Sequence, residues 1–184
     1  MVITVVYDSC VLFGNSQRDL LLRVGIAGLV RARYSMTILG ELERALVEDR
    51  GIEPARAARL RSLMERAIPD CMVEGYEEIM ETLDLPDAAD RHVLAAAICA
   101  RASVIVTENR KHFPSKVLER YGVEARSADD YLQDLSCLYP DIVRFCVHQI
   151  AASRTNPPTA FGEIVTQLER SGLIGTAAAL ALGR

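Results

Sequence analysis

The sequence predicts an α/β fold, a sheet covered by helices, followed by a helical appendage. Up to residue 138, strand-like apolar runs alternate with segments of helical spacing, which is typical of such a sheet. Beyond Tyr139 the pattern changes to two or three helices, separated by the Asn156-Pro157-Pro158 breaker, with no further strand. We therefore expect one domain over residues 1–138 and an appendage packed on it over residues 139–184.

The individual elements follow from local patterns. Two β-branched runs, residues 2–7 and 102–107, predict buried strands, and residues 123–126 indicate a short last strand. Helical spacing and capping residues predict helices over residues 15–33, 37–48, 54 to about 67, 74–83, 88–101 after an Asp87 cap, 115–121 and 128–135 after a Ser127 cap.

Composition limits the function classes. The 184 residues, 50% of them hydrophobic, suffice for the core of one ordinary domain. A net charge of -4 argues against binding of nucleic acid through the overall field, so any such contact would need a local patch. Of the 21 basic residues only Lys111 and Lys116 are lysines. Arginine suits phosphate through its planar fork, although biased genomic base composition would give the same count.

The cysteines and the N-terminus predict a cytoplasmic protein. Five cysteines are odd in number and show no metal-ligand or redox spacing, which favours reduced thiols. The sequence begins with a strand instead of a signal peptide, and its uncharged stretches fall short of the roughly 18 to 20 apolar residues that span a bilayer. We expect no membrane partner.

A candidate site begins with Asp8, which closes the first strand. A carboxylate at that end is aimed into the crevice where open α/β sheets bind ligands. Glu41 and Asp90 in helices, and Asn109 just past the second buried strand, could join it. Oxygen ligands from four segments suit a hard divalent cation better than zinc. Each of the four also has a purely structural interpretation. Asp8 could form a strand-end turn, Glu41 could lie on a solvated helix face, Asp90 could stabilise the first turn of its helix, and Asn109 could be an ordinary loop residue.

The ordered set resembles the PIN-domain nucleases, most closely the bacterial toxins of VapBC-type toxin–antitoxin pairs. The resemblance extends to about residue 135 and rests on Asp8-Ser9, Glu41-Leu42, Asp90–Ala97 and Thr107–Pro114. It implies a parallel sheet of about four or five strands and cleavage of single-stranded or structured RNA, dependent on Mg²⁺ or Mn²⁺. It also implies an antitoxin partner.

The resemblance assigns roles to these residues. Asp8, Glu41 and Asp90 match the three acidic metal-site positions, for which Glu43 is a competitor of Glu41. Asn109 matches a fourth position that is often aspartate in the family. Because its side-chain oxygen is neutral, the site has one negative charge fewer than in members with aspartate there.

Neighbouring residues could support the site. Ser9 and Thr107 could orient a water or a phosphate, and Asp87 could be an outer ligand as well as a cap. Arg110 and Lys111 could hold RNA backbone, with a solvated loop as the alternative.

Other polar residues have structural interpretations. The three histidines lack mutual metal spacing and are predicted to be surface or packing residues: His92, His112 and His148. The arginines of the third helix suggest a solvated face, or a contact with RNA or antitoxin: Arg56, Arg59, Arg61 and Arg66. No aromatic platform for single strands is predicted, because tryptophan is absent and the tyrosines are scattered.

Three functions remain open. The leading one is a metal-dependent endoribonuclease, the toxin of a type II toxin–antitoxin pair, which could form a homodimer. A haloacid-dehalogenase-type phosphatase would use Asp8 as its nucleophile but usually has a second aspartate where Cys10 stands. The third is a PIN-like module that binds RNA or protein without turnover.

The appendage carries too many apolar residues to remain in water, given roughly 25 cal/mol per Å² of apolar burial. We expect them to pack first on the core, with a second copy or a partner as the alternatives: Ile142, Val143, Phe145, Ile150, Phe161, Ile164, Val165 and Leu168.

Overall fold

A five-stranded parallel sheet organises the protein, as a computed structural model of residues 2–182 shows. Its spatial order is β3-β2-β1-β4-β5, and every neighbouring pair is parallel. The strands are β1 Thr4–Tyr7, β2 Arg31–Ser35, β3 Met72–Val73, β4 Val104–Val106 and β5 Glu124–Arg126. The predicted α/β class with four or five parallel strands is confirmed.

Eleven α-helices flank the sheet within the described residues. They are α1 Ser9–Leu12, α2 Asn15–Ile26, α3 Met36–Glu48, α4 Pro54–Met64, α5 Glu77–Thr82, α6 Arg91–Cys99, α7 Ser115–Leu118, α8 Ala128–Leu138, α9 Pro140–Ser153, α10 Phe161–Arg170 and α11 Ile174–Leu182. The predicted caps are present: Asp87 accepts a bond from the Ala89 amide and Ser127 from the Asp130 amide, at 2.9 and 3.1 Å.

The predicted helix over residues 15–33 was too long, because it ran into β2. The helix ends at Ile26, and Gly28, with a φ of +75°, turns the chain in a conformation that glycine adopts without strain. In β2, buried Ala32 and Tyr34 alternate with arginines that are not buried. This alternation was not predicted, because two of the five residues of this short strand are charged. The two-residue β3 was also missed.

The helical appendage packs on the core of its own chain. Helices α9 and α10 lie against α2, and α11 lies against α8. Residues at the centre of these contacts are completely buried: Val143, Val147, Ile150, Ile164 and Leu168. The Asp129 carboxylate of α8 also accepts bonds from the Gly175 and Thr176 amides, each at 2.8 Å, and so holds the start of α11.

The core does not cover every apolar residue of the appendage. Ile142 is 39% exposed and Phe145 is 59% exposed, and Leu138 and Tyr139 are exposed beside them. The core therefore takes up most of the predicted apolar residues but not Ile142 and Phe145, for which contact with a second copy or a partner stays a prediction. They lie at helical spacing on the outer side of α9, where the core leaves them in solvent.

The ends of the predicted domain ranges, Met1, Gly183 and Arg184, lie outside the described residues. Between residues 2 and 182, no helix combines the length and the apolarity that a membrane crossing requires. All five cysteines are free thiols.

Candidate active site

The functional candidates gather where the parallel strands end. Asp8 directly follows β1 and Thr107 directly follows β4. Ser35, the last residue of β2, caps α3 by accepting a bond from the Ile38 amide, and α3 carries Glu41. Because β1, β2 and β4 are adjacent and parallel, their carboxyl ends meet at one edge of the sheet. The sequence therefore places these side chains at the edge where α/β proteins bind ligands.

Asp8 is held rigidly beneath the surface, with only 3% of its area exposed. Its Oδ2 accepts a bond from Thr107 Oγ1 at 2.7 Å and one from Cys10 Sγ at 3.1 Å. Its Oδ1 accepts a bond from the Ser9 amide at 2.6 Å, so the residue also forms the strand-end turn considered as its structural role. The same bonds that make the turn fix the direction of the carboxylate.

Glu41 is paired with a histidine. Its Oε1 accepts a bond of 2.9 Å from Nε2 of His92, whose side chain is only 7% exposed. Burial alone would raise the pKa of Glu41, but hydrogen bonds from His92 and Ser9 outweigh it and lower the pKa below its ordinary value. The Ser9 hydroxyl also lies 3.3 Å from Asp8 Oδ1, so it is next to both predicted ligands and its single proton can be donated to one of them at a time. Glu43 instead pairs with Arg61 at 2.9 Å.

Asp90 lies in a second cluster of metal-ligating groups. His112 Nδ1 donates to Asp90 Oδ2 at 2.6 Å and lies 3.7 Å from Asp87 Oδ2. One ligand atom from each of these three side chains lies within 4.8 Å of the other two. Burial raises the pKa of Asp90, and repulsion from the Asp8 and Asp87 carboxylates raises it further, against the opposing bond from His112. Asp8 and Asp90 therefore share one electrostatic environment.

The tightest group differs from the predicted trio. Among the histidine, cysteine, aspartate and glutamate side chains of residues 2–182, one group of three has potential metal-ligand atoms within 4.8 Å of one another. It consists of Asp87, Asp90 and His112, and it does not include Asp8 or Glu41. His92 is buried and His112 is partly buried, and both also contact carboxylates, which the sequence did not predict. No spacing could have revealed the 90–112 contact, because the fold alone joins these two segments.

His148 packs against the ring of Phe161, with ring centroids 4.5 Å apart, as its predicted packing role requires.

The loop after β4 borders the cluster. The Asn109 amide donates to Thr107 Oγ1 at 3.0 Å, and Asn109 itself is half-buried before a 3-10 turn over Arg110–His112. Arg110 lies 3.6 Å from the Asp130 carboxylate with a largely exposed side chain, and Lys111 is exposed. Both cations therefore face solvent next to the acidic groups.

The donor set fits a divalent cation. Carboxylates crowded together repel one another, as the raised pKa of Asp90 beside Asp8 and Asp87 reflects, and a cation would relieve that repulsion. Carboxylate oxygens with one imidazole nitrogen suit Mn²⁺ and related divalent ions.

Cys10 should be chemically inert although it lies in the site. Burial raises the pKa of its thiol to about 12, and the neighbouring Asp8 carboxylate contributes to the rise. Since the thiolate is the reactive form, iodoacetamide at neutral pH is expected to modify the exposed Cys99 and Cys137 at least about tenfold faster than Cys10. Peptide mapping by mass spectrometry over time measures the three rates. Labelling of Cys10 as fast as Cys99 would contradict this description of the site.

Comparison with known proteins agrees with the geometry. A family model described as PIN domain matches residues 4–111, more than half of the chain, and one described as VapC50 C-terminal domain matches residues 128–182. The chain is 37% identical over 100 residues to a Mycobacterium tuberculosis protein named "Putative ribonuclease VapC50". That alignment covers 50% of this chain and 59% of the relative, less than two thirds of its length. No solved structure matches. The extent of the PIN-domain match, together with acidic residues at the carboxyl edge of a parallel sheet, shows that this chain belongs to the PIN-domain family.

Proposed function

We propose that the protein is a metal-dependent endoribonuclease that cleaves single-stranded or structured RNA. The observation that carries the proposal is that acidic residues influence one another at the site: Ser9 lies beside Asp8 and Glu41, and the Asp8 carboxylate contributes to the raised pKa of Asp90. Glu41 and Asp90 are each paired with a histidine. Family membership and the printed name of the relative support the same reaction. The phosphatase alternative is disfavoured, because Cys10 stands where such enzymes usually have a second aspartate, and burial raises the pKa of its thiol.

Asp8, Glu41 and Asp90 would hold the cation, Mg²⁺ or Mn²⁺, with Asp87 and His112 as further donors beside Asp90. When bound, such a cation neutralises the charge that develops on the phosphate oxygens and favours deprotonation of the attacking water. The neutral Asn109 favours one firmly held cation over two, since a second ion would need more negative charge.

The remaining residues orient this machinery. Thr107 and Ser9 fix the Asp8 carboxylate, and His92 fixes Glu41. Partners of this kind typically contribute 10- to 100-fold to affinity for metal or to activity, because they set the direction of the ligand. The exposed cations Arg110 and Lys111 would hold RNA backbone on the solvent side of the site.

We further propose that residues 1–138 form the nuclease unit and that residues 139–184 form an appendage docked on it. The packing of α9 and α10 on α2 supports this division. We also propose that the protein is a cytoplasmic toxin held inactive by an antitoxin. The exposed strip of Leu138, Tyr139, Ile142 and Phe145 could contact that partner or a second copy.

The test is cleavage of single-stranded RNA by the full chain. We expect fragments in the presence of Mn²⁺ or Mg²⁺ and none in EDTA, because the carboxylates alone cannot neutralise the developing charge. Denaturing gel electrophoresis with a 5′-labelled RNA measures the products. Hydrolysis of p-nitrophenyl phosphate without RNA cleavage would support the phosphatase instead. RNA binding without turnover in any metal would support the inactive module.

A further inference from the structure

A second cavity, away from the acidic cluster, is lined by arginines. It has a volume of about 460 Å³ and lies between α2, α4 and the chain just after α9. Its charged lining residues are Arg18, Arg56, Arg154 and Asp19. Three guanidinium groups against one carboxylate give this cavity a positive excess in a chain whose net charge is -4.

Arg18 is a buried cation without an acidic partner. It is only 7% exposed, and no carboxylate of residues 2–182 pairs with it. Its Nη1 donates to the Leu12 carbonyl at 2.8 Å, and its Nη2 donates to Asn15 Oδ1 at 2.8 Å. Burial lowers the pKa of Arg18, which reflects the cost of a charge removed from water. Charged side chains are seldom buried unless paired, and here the balancing charge comes from Asp19, which opposes the fall in the pKa of Arg18 without forming an ion pair with it.

The single carboxylate of the cavity is already engaged. Asp19 Oδ2 accepts a bond of 3.2 Å from Nη2 of Arg154, which also donates to Ser16 Oγ at 3.1 Å. Arg56 is exposed and forms no ion pair within the described part of the chain. The three guanidinium groups and one carboxylate leave an excess of about two positive charges, enough to attract the single negative charge of an RNA phosphodiester.

A smaller cavity lies between this basic cavity and the candidate active site and borders both. It has a volume of about 310 Å³ and is lined by Ser9 and Cys10 from the site together with Phe13, Ala45 and the acidic Asp49. The two cavities share a wall: Arg18 also donates to the Phe13 carbonyl at 3.3 Å, and Leu46, next to Ala45, lines the basic cavity. A strand leaving the site over Phe13 would reach Arg18.

The wall between the cavities carries a planar group on which a base could stack. The Arg50 guanidinium carbon lies 4.1 Å from the centroid of the half-buried Phe13 ring. Unstacked RNA bases commonly stack on aromatic rings or on guanidinium planes. Tryptophan is absent and the tyrosines are scattered, so this lone phenylalanine is the aromatic ring available for stacking beside the site.

We propose that the cavity of Arg18, Arg56 and Arg154 binds a phosphate of the RNA strand, outside the scissile position, after the strand crosses Phe13. The inference rests on the proposed ribonuclease function. The position of the basic cavity beside the candidate active site favours RNA over an acidic peptide. An RNA strand bound for cleavage would contact both places, whereas an acidic peptide would need only the basic cavity. Arg154 directly follows α9, so the appendage would contribute a residue to the substrate site in addition to its packing on the core.

The test is RNA binding by the full chain in EDTA, where no cleavage occurs. Arg56→Gln is expected to weaken the binding of a short fluorescein-labelled single-stranded RNA about tenfold, as expected for loss of a charged hydrogen bond to phosphate. The slope of log affinity against log salt should fall by about 0.7, the value for one phosphate contact on a single strand. Fluorescence anisotropy at several salt concentrations measures both quantities.

Arg59→Gln is the matched control, because Arg59 is exposed on the same helix but does not line the cavity. It should leave both affinity and slope unchanged, with the same melting temperature for the two variants. Equal effects of both substitutions, or none, would overturn the proposal. Binding of an acidic peptide but not of RNA would also overturn it. Since the assay needs no turnover, its outcome is independent of whether the chain cleaves RNA.

Discussion

Asp8→Asn is expected to lower metal-dependent RNA cleavage by at least about 100-fold. Residues that only hydrogen-bond to a metal ligand already contribute 10- to 100-fold to metal affinity or activity, and loss of a ligand should cost at least as much. The substitution keeps the size of the side chain but removes the charge proposed to hold the cation. Asn can still accept a bond from Thr107 or from the Ser9 amide, so the strand end should remain folded. The measurement is kcat/KM with a labelled RNA at saturating Mn²⁺.

Melting in Mn²⁺ separates loss of the metal from loss of the fold. At a concentration of 100 times its dissociation constant, a bound ion raises the free energy of unfolding by about 2.7 kcal/mol. For a chain of this size, that corresponds to a rise of roughly 5–10 °C in melting temperature. The wild type should show that rise and Asp8→Asn should show little of it. Asp84→Asn is the control, because Asp84 is fully exposed. Full cleavage by Asp8→Asn, or equal losses in both variants, would refute the assigned role of Asp8.

Leu168→Ala is expected to lower the free energy of unfolding by about 2–5 kcal/mol, as usual for removal of a buried leucine side chain. Leu168 is completely buried in α10, which packs on α2 of the nuclease unit. Urea denaturation followed by circular dichroism measures the change. A single transition is expected, because the appendage and the sheet share one core.

Ile174→Ala is the matched control for Leu168→Ala. Ile174 lies in the same appendage but is 64% exposed, so its truncation should change stability by no more than about 0.5 kcal/mol. If Leu168→Ala behaved like Ile174→Ala, or produced a separate early transition, the appendage would not be part of the core.

Sequence reasoning located the sheet edge because Asp8 and Thr107 follow strands whose apolar runs are easily recognised. It could not find β2, where arginines alternate with Ala32 and Tyr34, since burial of those two residues depends on the neighbouring strand β1. Asp87, Asp90 and Glu41 were each credible as helix residues. Their histidine partners were not predictable, because the 90–112 and 41–92 contacts exist only once β1, β2 and β4 lie side by side.

The Thr107 hydroxyl has a single proton, and the direction of its bonds is fixed by its neighbours. The Asn109 amide can only donate, so the hydroxyl oxygen accepts that bond and its proton is free to point at Asp8. The backbone of the loop that carries Arg110 and the carboxylate at the end of β1 are thereby joined through one atom. In the proposed nuclease, a strand that displaced this loop would also move the Thr107 hydroxyl that holds Asp8, so binding of RNA would be coupled to the position of a proposed metal ligand.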